Sequence, residues 1–92
     1  MKLLNTGFGN LVAAGRVVAL VNADAAPIRR MVQTAREENR VIDATAGRKT
    51  RTVLVLDTGS LLLSALQTET LAARLEDQGG SDRDNAHGGW TT

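Results

Sequence analysis

The chain predicts an α+β fold: a mainly antiparallel sheet with two helices packed on it. Three observations carry this reading. Apolar, β-branched runs at Leu11–Val21, Val41–Ala44, Thr52–Leu56 and Leu61–Leu66 are separated by turn formers. Apolar residues recur at helical spacing in Ile28, Met31, Val32 and Ala35, and again in Leu71, Ala72 and Leu75. Asp57-Thr58-Gly59-Ser60 joins two of the strand runs by a connection of hairpin length. Ninety-two residues suffice for one small domain with a thin core.

Taken in order, residues 3–22 read as extended, interrupted by Asn5-Thr6-Gly7-Phe8-Gly9-Asn10. The run from Leu11 into Val17-Val18-Ala19-Leu20-Val21 is apolar on both strand faces, so it needs two covers. A helix can be one and a neighbouring subunit the other. Gly7-Phe8-Gly9 has the start of a dinucleotide fingerprint but not its later glycine or helix, so a turn or bulge explains it better. Asp24 is expected to cap a helix opened by Pro27, whose missing N–H is harmless in a first turn. Arg29 and Arg30 stand early in that helix and Glu37 and Glu38 late, the reverse of what the helix dipole favours. A bound anion near Arg29 and Arg30 would account for that order. A second helix starts near Thr68, its expected cap, with Glu69 well placed against the dipole. The folded body is thus expected over residues 1–76. From Asp77 to Thr92 the composition cannot bury a core and predicts a disordered polar tail, Trp90 included.

Composition narrows the function. The absence of cysteine removes disulfides and thiolate metal sites and fits a reducing compartment. Neither a signal peptide nor an apolar run of spanning length is present, so a cytoplasmic protein without a membrane partner is expected. His87, the single histidine, lies in the tail, and no catalytic or metal-binding spacing can be assembled. The expectation is therefore a non-enzyme without cofactor, metal or small-molecule substrate.

The net charge of +1 conceals an uneven distribution. Residues 29–51 carry seven cations against three anions, a surplus of four, whereas the remainder of 1–76 and the tail are both net acidic. The densest cluster is Gly47-Arg48-Lys49-Thr50-Arg51. Like charges so placed repel one another, and a polyanion would relieve that repulsion; a solvated turn protecting a strand edge is the plainer alternative. With Phe8 and Trp90 as the sole aromatic residues, no base-stacking platform is available. Duplex DNA held through phosphates, with arginine reading groove shape, becomes the expected ligand, contacted by Arg48, Lys49 and Arg51 with Arg29 and Arg30. Copies in a ring or array would multiply a weak contact. A basic face for an acidic protein partner and a non-selective architectural DNA binder stay open as alternatives.

Several segments together resemble the RemA family of small bacterial regulators of extracellular matrix genes. They are Asn5-Thr6-Gly7-Phe8-Gly9-Asn10, Ala14-Gly15-Arg16, Ala26-Pro27-Ile28-Arg29-Arg30 and Asp43-Ala44-Thr45-Ala46-Gly47-Arg48-Lys49-Thr50-Arg51, and the resemblance spans residues 2–76. It implies a nucleoid-associated transcriptional regulator that forms homo-oligomeric rings, with DNA along a basic surface and biofilm matrix genes as targets. It also implies functional roles for Arg16, Arg48 and Lys49, and a role in assembly for Pro27. The family pattern commonly has histidine, arginine and tyrosine where Ala46, Lys49 and Phe8 stand. Lysine keeps the charge at that position and loses the bidentate fork.

Overall fold

The structure, a computed structural model, describes residues 2–80. Six strands and two helices form an α+β domain. A hairpin of β1 (Leu3–Gly7) and β2 (Asn10–Ala13) precedes a short 3-10 turn and β3 (Val17–Asn22). Helix α1 (Ala26–Glu37), β4 (Val41–Asp43), β5 (Thr52–Leu56), β6 (Leu61–Ser64) and α2 (Thr68–Gly80) follow. The main sheet has the order β3-β5-β6-β4. Its β3–β5 and β5–β6 pairs are antiparallel and its β4–β6 pair is parallel.

Burial explains this order. Strands β5 and β6 read TVLVL and LLLS, almost wholly apolar, and all but Val55 of their nine residues are buried. Such strands are stable only in the middle of a sheet covered on both faces. Val53, Leu61 and Leu63 point toward α1 and meet Ile28, Met31, Val32 and Ala35, the helical stripe read from the sequence. Leu54, Leu56 and Leu62 point the other way, toward Leu4 of the hairpin and Leu71 of α2. The sheet is therefore a middle layer, with α1 on one side and α2 plus the β1–β2 hairpin on the other. On the second side Ser64 donates to the carbonyl of Thr6 at 2.9 Å, and Thr52 shares a 2.8 Å hydroxyl contact with Thr68.

Several local expectations are corrected. The strand expected to need cover on both faces is two strands: Leu11–Ala13 belongs to β2, and the chain turns at Ala14–Arg16 before β3. Strand β3 lies at a sheet edge, where an irregularity between Val17 and Ala19 leaves Val18 67% exposed. Asp24 does not cap α1. Its N–H binds Oδ1 of Asn22 at 2.8 Å, and Ala25 takes the cap position without a side-chain bond. Pro27 does sit in the first turn. Thr68 is the first residue of α2 rather than its cap, and its hydroxyl is held by Thr52. Of the second stripe, Leu71 is buried and Leu75 packs on the core, whereas Ala72 is exposed. The α2 backbone continues to Gly80, and residues 81–92 of the expected tail lie outside the described residues.

Leu54 is fully buried between the sheet and the α2 layer. Leu54→Ala is expected to lower unfolding stability by about 2–5 kcal/mol in urea titration. Ser64→Ala leaves the Thr6 carbonyl and the Leu66 N–H without their partner and is expected to cost about 1–3 kcal/mol by the same measurement.

Candidate nucleic-acid interface

The basic segment turns around one end of the main sheet. Strand β4 stops at Asp43, whose Oδ1 accepts the Thr45 hydroxyl at 2.6 Å and the Thr45 N–H at 2.9 Å. Thr45 is buried and thereby fixed, and its carbonyl accepts the Arg48 N–H at 3.0 Å. The two residues between, Ala46 and Gly47, have φ of 54° and 81°, as a turn of the I′ kind requires. Arg51 then re-enters the sheet by its backbone: its N–H binds the Ser64 carbonyl at 2.8 Å and its carbonyl accepts from Ala23 at 3.1 Å. The segment is anchored at both ends, while Arg48, Lys49 and Arg51 remain exposed.

Arg48 and Lys49 leave this turn on different sides of the sheet. The Arg48 guanidinium lies over the ring of Phe8, 5.0 Å from its centroid. Phe8 is half exposed at the tip of the β1–β2 hairpin with φ of 55°, next to Gly9 at 81°. The Asn10 side-chain amide donates to the Gly7 carbonyl at 3.0 Å and reaches the Ala44 carbonyl at 3.5 Å, joining the hairpin to the basic turn. Lys49, in contrast, lines an open groove of about 330 Å³ on the α1 side with Arg29, Arg36 and Thr50. Arg29, Val32 and Arg36 follow one side of α1 at helical spacing. Arg30 is one residue further round, on the outward side of α1, and does not line the groove.

Arg16 is placed elsewhere. It precedes β3 and pairs with Asp57 at 3.2 Å, with a backbone bond between the same two residues at 2.9 Å. That is the opposite end of the six-residue strand β3, roughly 20 Å from the basic turn. A single subunit thus presents Arg48, Lys49, Arg51 and Arg29 at one end and Arg16 at the other. Among the described residues the ion pairs are Arg16–Asp57 and Arg40–Glu38, the latter at 2.7 Å. Arg40 also donates to the Gly59 carbonyl, so it closes the α1–β4 connection against the β5–β6 turn.

Two contributors escape a sequence reading. Phe8 reads as a turn residue, and its ring beneath Arg48 depends on two turns meeting across a sheet. Arg36 reads as part of a solvated helix face, and its place beside Lys49 depends on how α1 crosses the sheet. The Asp43 carboxyl has a shifted pKa. The Thr45 hydroxyl and N–H, together with the Arg36 charge, hold it below the usual carboxylate value. Among the described residues no cluster of His, Cys, Asp and Glu could hold a metal, and no helix is long and apolar enough to cross a membrane.

The architecture and its surface define a small α+β domain with a cation-rich sheet end. The chain belongs to the RemA-like family, described as extracellular matrix regulatory protein A-like, whose pattern matches residues 3–75. It is 58% identical over 76 residues to a regulatory protein of Dictyoglomus turgidum, covering 83% of this chain and 89% of that one. A regulatory protein of a Synechococcus strain is 56% identical over 73 residues, 79% of this chain and 82% of its own. One of Bacillus cytotoxicus is 53% identical over 78 residues, 85% and 90% of the two chains.

Ala46 adopts a left-handed conformation with an exposed side chain. Ala46→Gly should therefore raise stability by about 0.5–1 kcal/mol, read as a higher thermal midpoint in calorimetry. The sign of the Asp43 effect is also fixed. A folded-state pKa below the unfolded one adds stability that is present above the unfolded pKa, about 3.9, and lost as pH falls through the folded value. The stability difference between wild type and Asp43→Asn should hold at neutral pH and shrink on acidification below about pH 4, as followed by urea midpoints against pH.

Proposed function

We propose that this chain is an oligomeric, duplex-DNA-binding transcriptional regulator that grips phosphates and a groove edge with the cation-rich end of its sheet. The observation that carries the reading is the anchoring of the basic turn. Asp43, Thr45, Ser64 and Ala23 hold its backbone at both ends, yet Arg48, Lys49 and Arg51 are exposed and make no ion pair among the described residues. Held cations without carboxylate partners repel one another, and a line of phosphates supplies the missing counter-charge. Arg48, with its guanidinium over the Phe8 ring, is the arginine that would enter a narrow groove. Lys49 and Arg29 face the backbone as point contact and fork respectively. Arg16, at the other end, contributes where a neighbouring copy continues the surface.

Assembly is supported by what a single copy leaves exposed. Leu3, Leu11 and Val18 are 46%, 57% and 67% exposed, and among the described residues β3 pairs with β5 alone within its sheet. The family description supports matrix genes as targets, and a nucleoid location follows from DNA binding.

In a gel-shift salt series, Arg48→Ala/Lys49→Ala is expected to weaken duplex binding and to flatten the log–log salt slope by about 0.9 for each phosphate that the variant no longer neutralises. Unchanged affinity and slope would remove the turn from the interface. Pro27→Ala is expected to change the sedimentation profile, and an unchanged one would detach Pro27 from assembly.

A further inference from the structure

We infer that Phe8 is a wedge for duplex DNA: its ring enters the minor groove beside Arg48 and opens a base step. Burial gives no account of this side chain. Phe8 is 50% exposed and belongs to neither apolar cluster of the core. Among the described residues it is the one aromatic side chain, and the fold sets it beside the basic turn. Backbone conformation works against it as well. Phe8 has φ of 55° between Gly7 at 102° and Gly9 at 81°, a region that disfavours every side chain and bulky ones most. Asparagine or glycine would make the same turn with less strain.

The tip is nevertheless held firmly, so the exposed ring has a fixed position. The Gly7 N–H binds the Asn5 side-chain oxygen at 2.8 Å. The Asn10 amide donates to the Gly7 carbonyl at 3.0 Å and reaches the Phe8 carbonyl at 3.4 Å. A Cβ on Gly7 would come within 3.2 Å of Leu66 Cγ, so the base of the tip is pressed against the domain. A strained, clamped turn that shows an aromatic ring to solvent points to a ligand outside the chain. The neighbours of the ring indicate that ligand's charge. The Arg48 guanidinium lies 5.0 Å from the ring centroid, and Lys49 and Arg51 follow on the same turn. A second copy seated on Phe8 would have to bury the Arg48 charge, whereas DNA neutralises it. Proteins that read the minor groove combine arginine in the groove with an apolar wedge between base steps. One ring makes no platform for a single strand, but a wedge needs only one. Unstacking is easiest at pyrimidine–purine steps, so the duplex would be chosen by how readily it kinks. The inference rests on the DNA reading above and adds the groove, the base step and the residue that opens it.

Phe8→Ala and Phe8→Leu in the full chain test this on a short duplex that carries a fluorescent adenine analogue at a central thymine–adenine step. The analogue brightens when it is unstacked. Wild type and Phe8→Leu should both brighten it, and Phe8→Ala should leave it dim. Phe8→Ala should weaken binding by about fivefold or more, the scale of one lost aromatic–base contact. Its log–log salt slope should stay that of wild type, because no charge is removed. A duplex without a central pyrimidine–purine step should bind wild type more weakly, while Phe8→Ala should bind the two duplexes equally. Thermal midpoints, and sedimentation without DNA, should match wild type in both variants. If wild type binds the duplex without brightening the analogue, or if Phe8→Ala brightens it, the wedge is refuted and the phosphate grip stands. If Phe8→Leu fails as Phe8→Ala does and both flatten the salt slope, Phe8 supports Arg48 and is no wedge. An altered sedimentation profile for Phe8→Ala without DNA assigns the ring to a contact between copies and refutes the wedge. Wild type that binds no duplex refutes the DNA reading, and the wedge with it.

Discussion

Strands β5 and β6 have to be covered on both faces, and most other features follow from that requirement. Nearly all their side chains are buried, split between the α1 side and the α2–hairpin side. Burying an aliphatic side chain contributes about 1.5–3 kcal/mol, so these strands hold the domain together. They also leave no room for charge within the sheet. Charged residues are pushed to the strand ends and the outer helix faces, and the two ends of the sheet become chemically different. One end carries Arg16 matched with Asp57 and Arg40 matched with Glu38. The other carries Arg48, Lys49 and Arg51, with Arg29 and Arg36 alongside Lys49.

At that second end the chain accepts backbone strain. Phe8 and Ala46 both occupy the left-handed region, each followed by a glycine also at positive φ. For a residue with a side chain this conformation costs about 1–2 kcal/mol, and asparagine or glycine would usually occupy it. Two such turns facing each other, bridged by Asn10 and by the Arg48–Phe8 contact, place the strain where the basic surface is built. Strain of this kind tends to concentrate where geometry serves a ligand. Asp43 helps to hold the arrangement: its carboxylate fixes Thr45, and Thr45 fixes the turn.

Much of this was legible in the sequence, and the rest failed for identifiable reasons. The α1 stripe, the β5–β6 hairpin and the α+β class followed from periodicity, because each depends on neighbours close along the chain. The division of Leu11–Val21 did not, since Gly15 breaks a run whose composition stays apolar on both sides. Asp24 had the right residue type for a cap, but α1 starts at Ala26, which puts Ala25 and not Asp24 at the cap position. The cations of the basic turn were identifiable from their density. Their partition was not: the sequence places Arg16 and Arg30 with the rest, and the sheet puts one at its far end and the other on the outer side of α1.

That partition bears on how such a domain can regulate. On the DNA reading proposed above, a protomer would offer a single short contact through its basic turn, and one contact of two or three phosphates would be weak at physiological salt. The exposed apolar side chains Leu3 and Leu11 lie on the outer face of the hairpin, away from Leu4, Thr6 and Val12. Val18 is exposed on the edge strand β3. Covering those groups with another copy would bury apolar surface that a small core cannot, and would also set the interval between one basic turn and the next. Stability and affinity would then be coupled: the surface a lone domain leaves exposed would be the surface that lets several weak grips act as one.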